Sequence, residues 1–572
     1  MRTSLIARSL PSAAAALSAL LLVTSVPGAQ SRPKFLSDDP LAREPETQDA
    51  SKAQEWEIGL IADLTLNLFA KPGDPTPGVR AQNINTADEV PDSSWFTNRI
   101  YAKPITADEI TRGPNTIDGP AQGKWTIIRA KTAGTAPGFT VRDEKGNVWF
   151  LSFDARGYPV AATAAINVAT RLFWALGYNQ VEAYITTIKP ENIVIGDGVT
   201  VPSHGRRRRF TEDDVEDVFE RSHRSADGSY RVMAQRGLPG RVIGGFRYHG
   251  TRPDDPNDIV PHDHRRDLRA LQVFGGWTNL VDLKAGNTLD TVITEGGRSV
   301  VRHYLQDVGS GFGTGSLHPH EAEEGHEYVY EGAATFKRFI TLGLYIRPWQ
   351  TVDYVELPEV GRFTAEAYEP EEWKPRVPVA ALLRIRPDDE LWAALRVMAF
   401  TDEHIRAAVK TGAFTDAASE KLLADVLIQR RDKIGRVYFG KVNPVTRFAL
   451  DNSGVLTFDN PAVRTHLADA PKSGYQVTWA RFDNATGSAQ TIGSPVSTRE
   501  GRVQGPSDLP RRDGAFVKAT IVAVDPPHAA WRQPVDAYFR RSANGWLLVG
   551  VDRLPADASA KAPAAPQKGK TP

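Results

Sequence analysis

Two short segments of the chain carry polar residues whose types and spacing suit phosphoryl transfer. Asp282, Lys284 and Asn287 lie in the segment VDLKAGNTLD, and Asp307 ends the apolar run of VRHYLQDVGSGFG. Phosphoryl transfer needs mainly positioning and charge compensation, with a carboxylate beside the attacking hydroxyl and hard oxygen ligands for a bridging metal ion. Asp282 could be that base, and Lys284 could offset the charge of the transferred group. Asn287 and Asp307 could bind Mg²⁺ or Mn²⁺.

The elements around these residues follow from hydrophobic periodicity. A helix over Asp263–Asn279 is expected to deliver the chain to Asp282, and a strand is expected to end at Asp307. Upstream, the pattern predicts a strand, a glycine-rich turn, two strands, a helix and a further strand. Their limits are Trp125–Lys131, 132–138, Phe139–Arg142, Val148–Phe153, Ala161–Leu176 and Val181–Ile188.

The glycine-rich turn is a candidate phosphate-binding loop. Gly134 and Gly138 could let the backbone approach a nucleotide, and Lys131 precedes them. The turn lacks the spacing G-x-G-x-x-G, so its signal is weak when taken alone.

Composition narrows the class of partner. Lys+Arg and Asp+Glu both number 69, so the chain has no net field to attract nucleic acid, and its basic run Arg206–Arg209 is followed at once by acidic residues. We therefore expect no nucleic-acid partner. With no cysteine, the chain forms no disulfide and carries no cysteine-linked lipid.

The N-terminus has the pattern of an export signal. Arg2 and Arg8 precede the uncharged run Ala13–Val26, and small residues up to Ala29 allow cleavage. The alternative is an uncleaved anchor. No later segment approaches transmembrane length, so a mature periplasmic or secreted protein without a transmembrane segment is expected.

Several segments resemble exported bacterial proteins of unknown function related to atypical kinases of the HipA and CotH type. They span roughly residues 90–345 and include DSSWFTNRI, RLFWALGYN, GTRPDDPNDIVPHDHRRDLRAL, NTLDT and HYLQDVGSGFGTGS. This resemblance implies an α+β fold with a bilobal protein-kinase-like body, ATP with Mg²⁺ or Mn²⁺ as cofactor, and an acceptor that remains unknown. It also implies that Asp282 is the base and that Asn287 and Asp307 are metal ligands.

The expected domain boundaries follow from the same interpretation. Alternating residues and the turn Asn544-Gly545 predict a C-terminal all-β, sandwich-like domain. The expected units are a signal peptide (1–29), a leader and wrapping segment (30–120), an N-lobe (121–200), a helical C-lobe (201–440), the β domain (441–554) and a disordered tail (555–572). Within the leader, residues to about Glu44 are expected to be disordered.

Two departures from active kinases shape the functional hypothesis. Ser152 stands where the strand Val148–Phe153 should carry a lysine that grips the nucleotide phosphates, and Ile166 stands where the helix should carry its glutamate partner. Loss of one such electrostatic donor costs roughly 10²–10³ in rate. Lys131, on a neighbouring strand, could take the place of the missing lysine. The hypotheses are therefore a pseudokinase or residual metal- and nucleotide-dependent phosphotransferase and, alternatively, a non-catalytic binding or scaffold protein of the cell envelope.

Histidines near Asp307 offer a minor metal hypothesis. His318, His320 and His326 lie among glutamates, but the spacing of His320 and His326 does not place them on one helix face. Hydrogen-bonding or solvated roles are favoured for them and for the pair His262 and His264.

Overall fold

The computed structural model describes residues 32–131 and 134–554. It confirms a mixed α+β architecture, with helices and several separate β-sheets. The expected signal peptide (1–29) and tail (555–572) lie outside the described residues. Among the helices described, none combines the length and the apolar character required to span a bilayer.

The N-terminal segment (32–120) is mostly irregular and wraps over the rest of the chain. Its regular elements are helix α1 (Leu60–Thr65), a π-helical turn (Leu66–Ala70) and helix α2 (Ala107–Arg112). Phe35 is buried against Phe482, Tyr538 and Val549, so the chain is packed from this point rather than disordered up to Glu44.

A six-stranded sheet follows the wrapping segment. The elements of this region, in chain order, are β1 (Trp125–Ala130), β2 (Phe139–Arg142), β3 (Val148–Phe153), α3 (Ala161–Leu176), β4 (Ala183–Ile188), β5 (Ile193–Ile195), β6 (Thr200–Ser203), β7 (Arg206–Arg209), α4 (Glu212–Arg221) and β8 (Tyr230–Arg236). The strand order is β4-β8-β3-β2-β1-β5, and every pair is antiparallel except β1 with β5. Strands β6 and β7 form a separate hairpin.

Helix α3 has the limits expected from its sequence. Ala165, Val168 and Leu172 recur at three- and four-residue steps and are buried, which explains why this segment is helical. Gly177 ends the helix at φ 129°, and a Cβ there would lie 2.2 Å from a ring carbon of Phe96. Only glycine fits this position, so the end of the helix is fixed by close packing.

The next region supplies a three-stranded sheet and the loop that carries Asp282. Its elements are β9 (Arg241–Val242), α5 (Arg266–Arg269), α6 (Leu271–Thr278), β10 (Thr288–Glu295) and β11 (Arg298–Leu305), in the sheet order β11-β10-β9. The single helix expected over Asp263–Asn279 is instead a 3₁₀ turn (His262–His264) followed by the short helices α5 and α6. Arg265 interrupts it with extended backbone, φ −87° and ψ 124°.

A buried charge cluster explains why this segment is not a regular amphipathic helix. Arg266 is fully buried and donates to Asp389 (2.8 Å), Asp388 (3.1 Å) and Asp88 (2.8 Å). Asp88 belongs to the wrapping segment, whereas Asp388 and Asp389 are consecutive residues in the first turn of a later helix, so the guanidinium ties its own segment to two other parts of the chain. His262 and His264 are buried members of the same region, hydrogen-bonded to carboxylates as structural groups.

The region expected to be helical (201–440) contains strands β7 to β11 in its first part, and from Gly332 to Tyr438 its regular elements are helices. They are α7 (Gly332–Ile340), α8 (Ala380–Leu383), α9 (Pro387–Val397), α10 (Asp402–Lys410) and α11 (Ala417–Tyr438). The faces of α9 to α11 that pack together carry Leu391, Leu395, Ile405, Val409, Leu423 and Leu427.

The C-terminal region is all-β apart from one short α-helix and a 3₁₀ turn (Ala529–Arg532). Its elements are β12 (Thr446–Leu450), β13 (Val455–Asp459), α12 (Pro461–Arg464), β14 (Tyr475–Phe482), β15 (Ala489–Thr498), β16 (Arg502–Gln504), β17 (Phe516–Ala523), β18 (Val535–Ser542) and β19 (Gly545–Arg553). They form antiparallel sheets of order β12-β13-β16 and β15-β14-β17-β18-β19. Its core is continuous with that of the helical region, since Trp531 donates to the Phe439 carbonyl oxygen over 2.8 Å.

Candidate nucleotide-binding cleft

A cleft of about 620 Å³ separates the six-stranded sheet from the Asp282 loop and the β10–β11 hairpin. Six of the seven residues singled out in the sequence line it. Lys131 and Gly134 lie on the sheet side, and Asp282, Lys284, Asn287 and Asp307 lie on the opposite side. Gly138 does not line the cleft, although its neighbours Ala136 and Phe139 do.

Asp282 is presented by a short extended segment after α6. The helix ends at Asn279, whose left-handed backbone (φ 54°, ψ 39°) turns the chain. Val281 and Leu283 are buried, so the intervening Asp282 is turned towards the cleft by strand-like alternation. Its Oδ2 accepts from Lys284 Nζ over 2.7 Å. The candidate base and the candidate charge-offsetting lysine therefore form an ion pair.

Asn287 closes the loop that carries Asp282. Its Nδ2 donates to the Asp282 carbonyl oxygen over 2.7 Å. The same residue's own carbonyl oxygen accepts from the backbone N–H of Asp307 over 3.0 Å. These two bonds place the three polar residues side by side, although Asp282 and Asp307 are separated in sequence by a whole hairpin.

Asp307 begins the turn that follows β11. Its Oδ1 accepts from the backbone N–H of Gly309 over 3.0 Å, and the residue is exposed to the cleft. A Cβ on Gly309 would lie 2.5 Å from Cγ1 of Ile166, so α3 packs directly on this turn. The contact between helix and turn fixes the position of the Asp307 carboxylate relative to the sheet.

Lys131 approaches Asp307 from the sheet side. Although the side chain is accessible to water within the cleft, the protein around it displaces bulk solvent and lowers the pKa of its ammonium group, while the Asp307 carboxylate acts in the opposite direction. A Cβ on Gly138 would lie 2.1 Å from the Leu151 carbonyl oxygen and 3.4 Å from Cδ of Lys131. The turn therefore needs glycine at 138, and the lysine chain lies along it.

The two departures noted in the sequence both lie on the cleft wall. Ser152 projects from β3 and Ile166 from α3. Neither can form an ion pair, so the sheet side of the cleft offers positive charge only through Arg129 and Lys131 among its described lining residues.

The donor set available to a cation consists of carboxylate and amide oxygens. Asn287 uses its Nδ2 for the loop, which leaves Oδ1 free to act as a ligand beside the Asp307 carboxylate. Oxygen ligands of this kind suit Mg²⁺, which binds through one or two protein groups together with phosphates and water. In the described ranges 32–131 and 134–554, no group of three or more His, Asp or Glu side chains could hold a metal ion by itself.

This finding also bears on the minor zinc hypothesis. His318 is exposed and bonds the Pro319 carbonyl oxygen, whereas His320 is buried and lies 3.6 Å from Glu324. Burial lowers the pKa of His320 to about 4, with Glu324 opposing the shift. His326 lies apart, 3.4 Å from the Tyr354 hydroxyl. The three histidines do not form a ligand set in the described structure.

Sequence reasoning missed one charged pair in the cleft. Arg376 binds both carboxylate oxygens of Glu324, each over 2.9 Å, and its Nη1 lies 3.9 Å from Asp282 Oδ2. The pair thus adds a guanidinium beside the candidate base. Arg376 lies in the segment KPRVP, which carries no motif that could have indicated this role.

Comparison of the chain with family models, with curated proteins and with solved structures gave no match.

Proposed function

We propose that this chain is an exported kinase-fold protein whose cleft binds ATP together with Mg²⁺ or Mn²⁺, and whose degenerate sheet side makes it a pseudokinase or a slow phosphotransferase. The proposal depends on one observation. Asp282, Asn287 and Asp307, which come from different segments, line one cleft that Lys131 enters from the opposite side.

The order of elements supports the fold assignment. A strand, a glycine turn, two strands, a helix and two further strands, in the spatial order β1-β2-β3-β8-β4, correspond to the N-lobe of a protein kinase. The loop with Asp282 and Asn287, the β10–β11 hairpin and the strand-end Asp307 then correspond to the catalytic and metal-binding segments. The helical region would be the C-lobe, with the β domain appended to it.

Each residue has a defined task in this proposal. Asn287 and Asp307 hold the cation, whose charge offsets that of the phosphates. Lys131, with its ammonium group facing Asp307, takes the place of the lysine that β3 lacks. Asp282 orients the acceptor hydroxyl and accepts its proton, while Lys284 and Arg376 offset the charge that develops during transfer.

The missing ion pair favours low activity. Ser152 and Ile166 remove a preorganised donor and its anchor, each of which active kinases use to position the phosphates. A non-catalytic binding or scaffold protein of the cell envelope, with the β domain as contact surface for an unidentified envelope partner, is therefore the second candidate. The same two residues are the observation that favours it.

A thermal-shift titration separates the two candidates. ATP with Mg²⁺ or Mn²⁺ should raise the melting temperature of the native protein, and Asp307→Ala should abolish the rise. Asp469→Ala, which removes an exposed carboxylate in the β domain far from the cleft lining, is the matched control and should respond like the native protein. A folded native protein that shows no shift at millimolar nucleotide would contradict nucleotide binding and favour the scaffold.

A further inference from the structure

The amphipathic helix α7 has an apolar face that no part of the chain within residues 32–131 and 134–554 covers. Phe336, Phe339 and Ile340 recur at three- and four-residue steps, and all three are exposed, Phe339 to 77%. An amphipathic helix ordinarily buries such a stripe against the core. Here none of the residues of α7 whose burial is described is buried.

The exposed surface continues past the end of α7 and onto the wrapping segment. Leu342 and Leu344 protrude with 92% and 84% of their surface exposed. Phe69 of the π-helical turn lies against Tyr330, with 5.8 Å between the ring centroids, which joins the exposed residues of α1 to this surface. We call the combined surface the apolar face; its exposed members are Leu60, Ile61, Leu64, Phe69, Val329, Tyr330, Phe336, Phe339, Ile340, Leu342, Leu344 and Ile346.

The charges within α7 and the residues that directly follow it are of one sign, while Glu327, Glu331 and Asp353 flank this stretch. The 21 residues from 332 to 352 contain Lys337, Arg338 and Arg347 and no Asp or Glu, in a chain whose acidic and basic residues balance. Arg347 is paired with Glu327, but Lys337 and Arg338 are exposed. On the wrapping segment, Lys71 is exposed next to Phe69 and Ala70.

We propose that the apolar face docks on an anionic lipid bilayer. A short helix with aromatic and aliphatic residues on one side and lysine and arginine beside them is the pattern of a helix that lies in the membrane interface. At about 100° per residue, Lys337 lies on the flank of the stripe formed by Phe336, Phe339 and Ile340, and Arg338 lies on the polar side of the helix. Their long side chains can reach anionic headgroups while the apolar side chains enter the acyl region. Leu342 and Leu344, the most protruding of the set, would insert.

Docking would also orient the cleft. Leu60 belongs to the apolar face and lines the cleft, and a Cβ on Gly286 of the Asp282 loop would lie 2.3 Å from Leu60 Cδ2. A molecule bound through the apolar face therefore holds the mouth of the cleft beside the lipid headgroups. This orientation is independent of what the cleft binds.

Vesicle flotation tests the proposal with the full chain. Binding should occur with vesicles that mix phosphatidylglycerol and phosphatidylcholine and should fall about tenfold or more with phosphatidylcholine alone or with Lys337→Gln/Arg338→Gln. Leu342→Glu/Leu344→Glu should abolish binding. Ile259→Glu is the matched control, because Ile259 is also largely exposed (78%) but lies outside the apolar face, and it should bind like the native chain.

Three results would overturn the proposal. The first is that the native chain does not float with anionic vesicles. The second is that Leu342→Glu/Leu344→Glu floats as well as the native chain, which would assign lipid binding to another segment. The third is that sedimentation velocity shows a native dimer that this double variant dissociates, which would assign the apolar face to a second copy. Because all substituted residues are exposed, each variant should keep the native melting temperature, and that measurement confirms that the comparison is between folded proteins.

Discussion

Asn287 bonds the backbone of Asp282, Nδ2 to carbonyl oxygen, over 2.7 Å. The bond closes a loop of six residues and fixes the orientation of the amide. Oδ1 of Asn287 is consequently the atom available to a cation, and a cation bound there would be linked through Asn287 to the loop that carries Asp282.

Replacement of Asn287 should weaken cation and nucleotide binding together. Asn287→Ala removes both the candidate ligand and the bond that orders the loop, so the affinity for Mg²⁺–ATP should fall about 10- to 100-fold. Isothermal titration calorimetry measures this change. Asn544→Ala, in the exposed β18–β19 turn, should leave the affinity unchanged, and an equal loss in both variants would contradict a specific role for Asn287.

Replacement of Asp282 should impair phosphoryl transfer while nucleotide binding is retained. Asp282→Asn keeps the size of the side chain and removes its charge, so Mg²⁺–ATP should still bind. Any ADP formation above background should fall roughly 10²–10⁴-fold, the usual contribution of a general base. The measurement is the initial rate of ADP release with matched nucleotide-binding data. If the native protein hydrolyses ATP and Asp282→Asn does so equally fast, Asp282 is not the general base.

The local pattern of the sequence predicted the elements around the cleft well. Strands β2 and β3 and helix α3 have the expected limits, because alternation and the three- to four-residue repeat are strong where one face is buried. The convergence of Asp282, Asn287 and Asp307 could also be anticipated, since a loop and a strand end joined by a short hairpin must lie close together.

The sequence could not predict features that depend on long-range ionic contacts. The segment 263–279 has a helical pattern, but its helix is interrupted at Arg265, and the side chain of Arg266 binds Asp88 and Asp388, which are far away in sequence. In the same way, Arg376 reaches Asp282 only because the fold returns the chain to the cleft. The local periodicity of a sequence carries no information about ionic partners that are distant along the chain.

Removal of Arg266 should strongly destabilise the protein. Arg266→Met leaves the carboxylates of Asp88, Asp388 and Asp389 buried without their shared cation, which should cost about 3–5 kcal/mol in the free energy of unfolding. Urea denaturation followed by circular dichroism measures it. Arg208→Met is the control, because Arg208 forms an exposed pair with Asp214 and its loss should lower the free energy of unfolding far less. Equal losses would contradict the structural role of the cluster.

His320 should make stability depend on pH. The folded protein binds a proton at this buried ring with a pKa of about 4, whereas the unfolded chain binds it near 6.5. Between these values the unfolded state takes up more protons, so stability falls as the pH drops from 6.5 to 4. The contribution of His320 between pH 7 and pH 5 should be a loss of about 2 kcal/mol.

The histidine contribution can be isolated by substitution. His320→Leu removes the titrating group, and both ring nitrogens that it replaces are buried without a hydrogen-bond partner. The difference in urea midpoint between pH 7 and pH 5 should therefore shrink in His320→Leu and stay unchanged in His318→Leu, whose ring is exposed. An unchanged pH dependence in His320→Leu would show that the proton uptake occurs elsewhere.

The wrapping segment contacts residues of β19, which are synthesised much later than the wrapping segment itself. Lys34 pairs with Asp552, Phe35 packs on Val549, and the Thr86 hydroxyl donates to the carbonyl oxygen of Val549. Early residues thus have no docking surface until the last strand has been synthesised. Contacts of such long sequence separation slow folding and leave the partly folded chain open to aggregation. The wrapping segment of the nascent polypeptide therefore cannot dock before β19 has been synthesised, and a holding chaperone can bind the chain in that undocked condition.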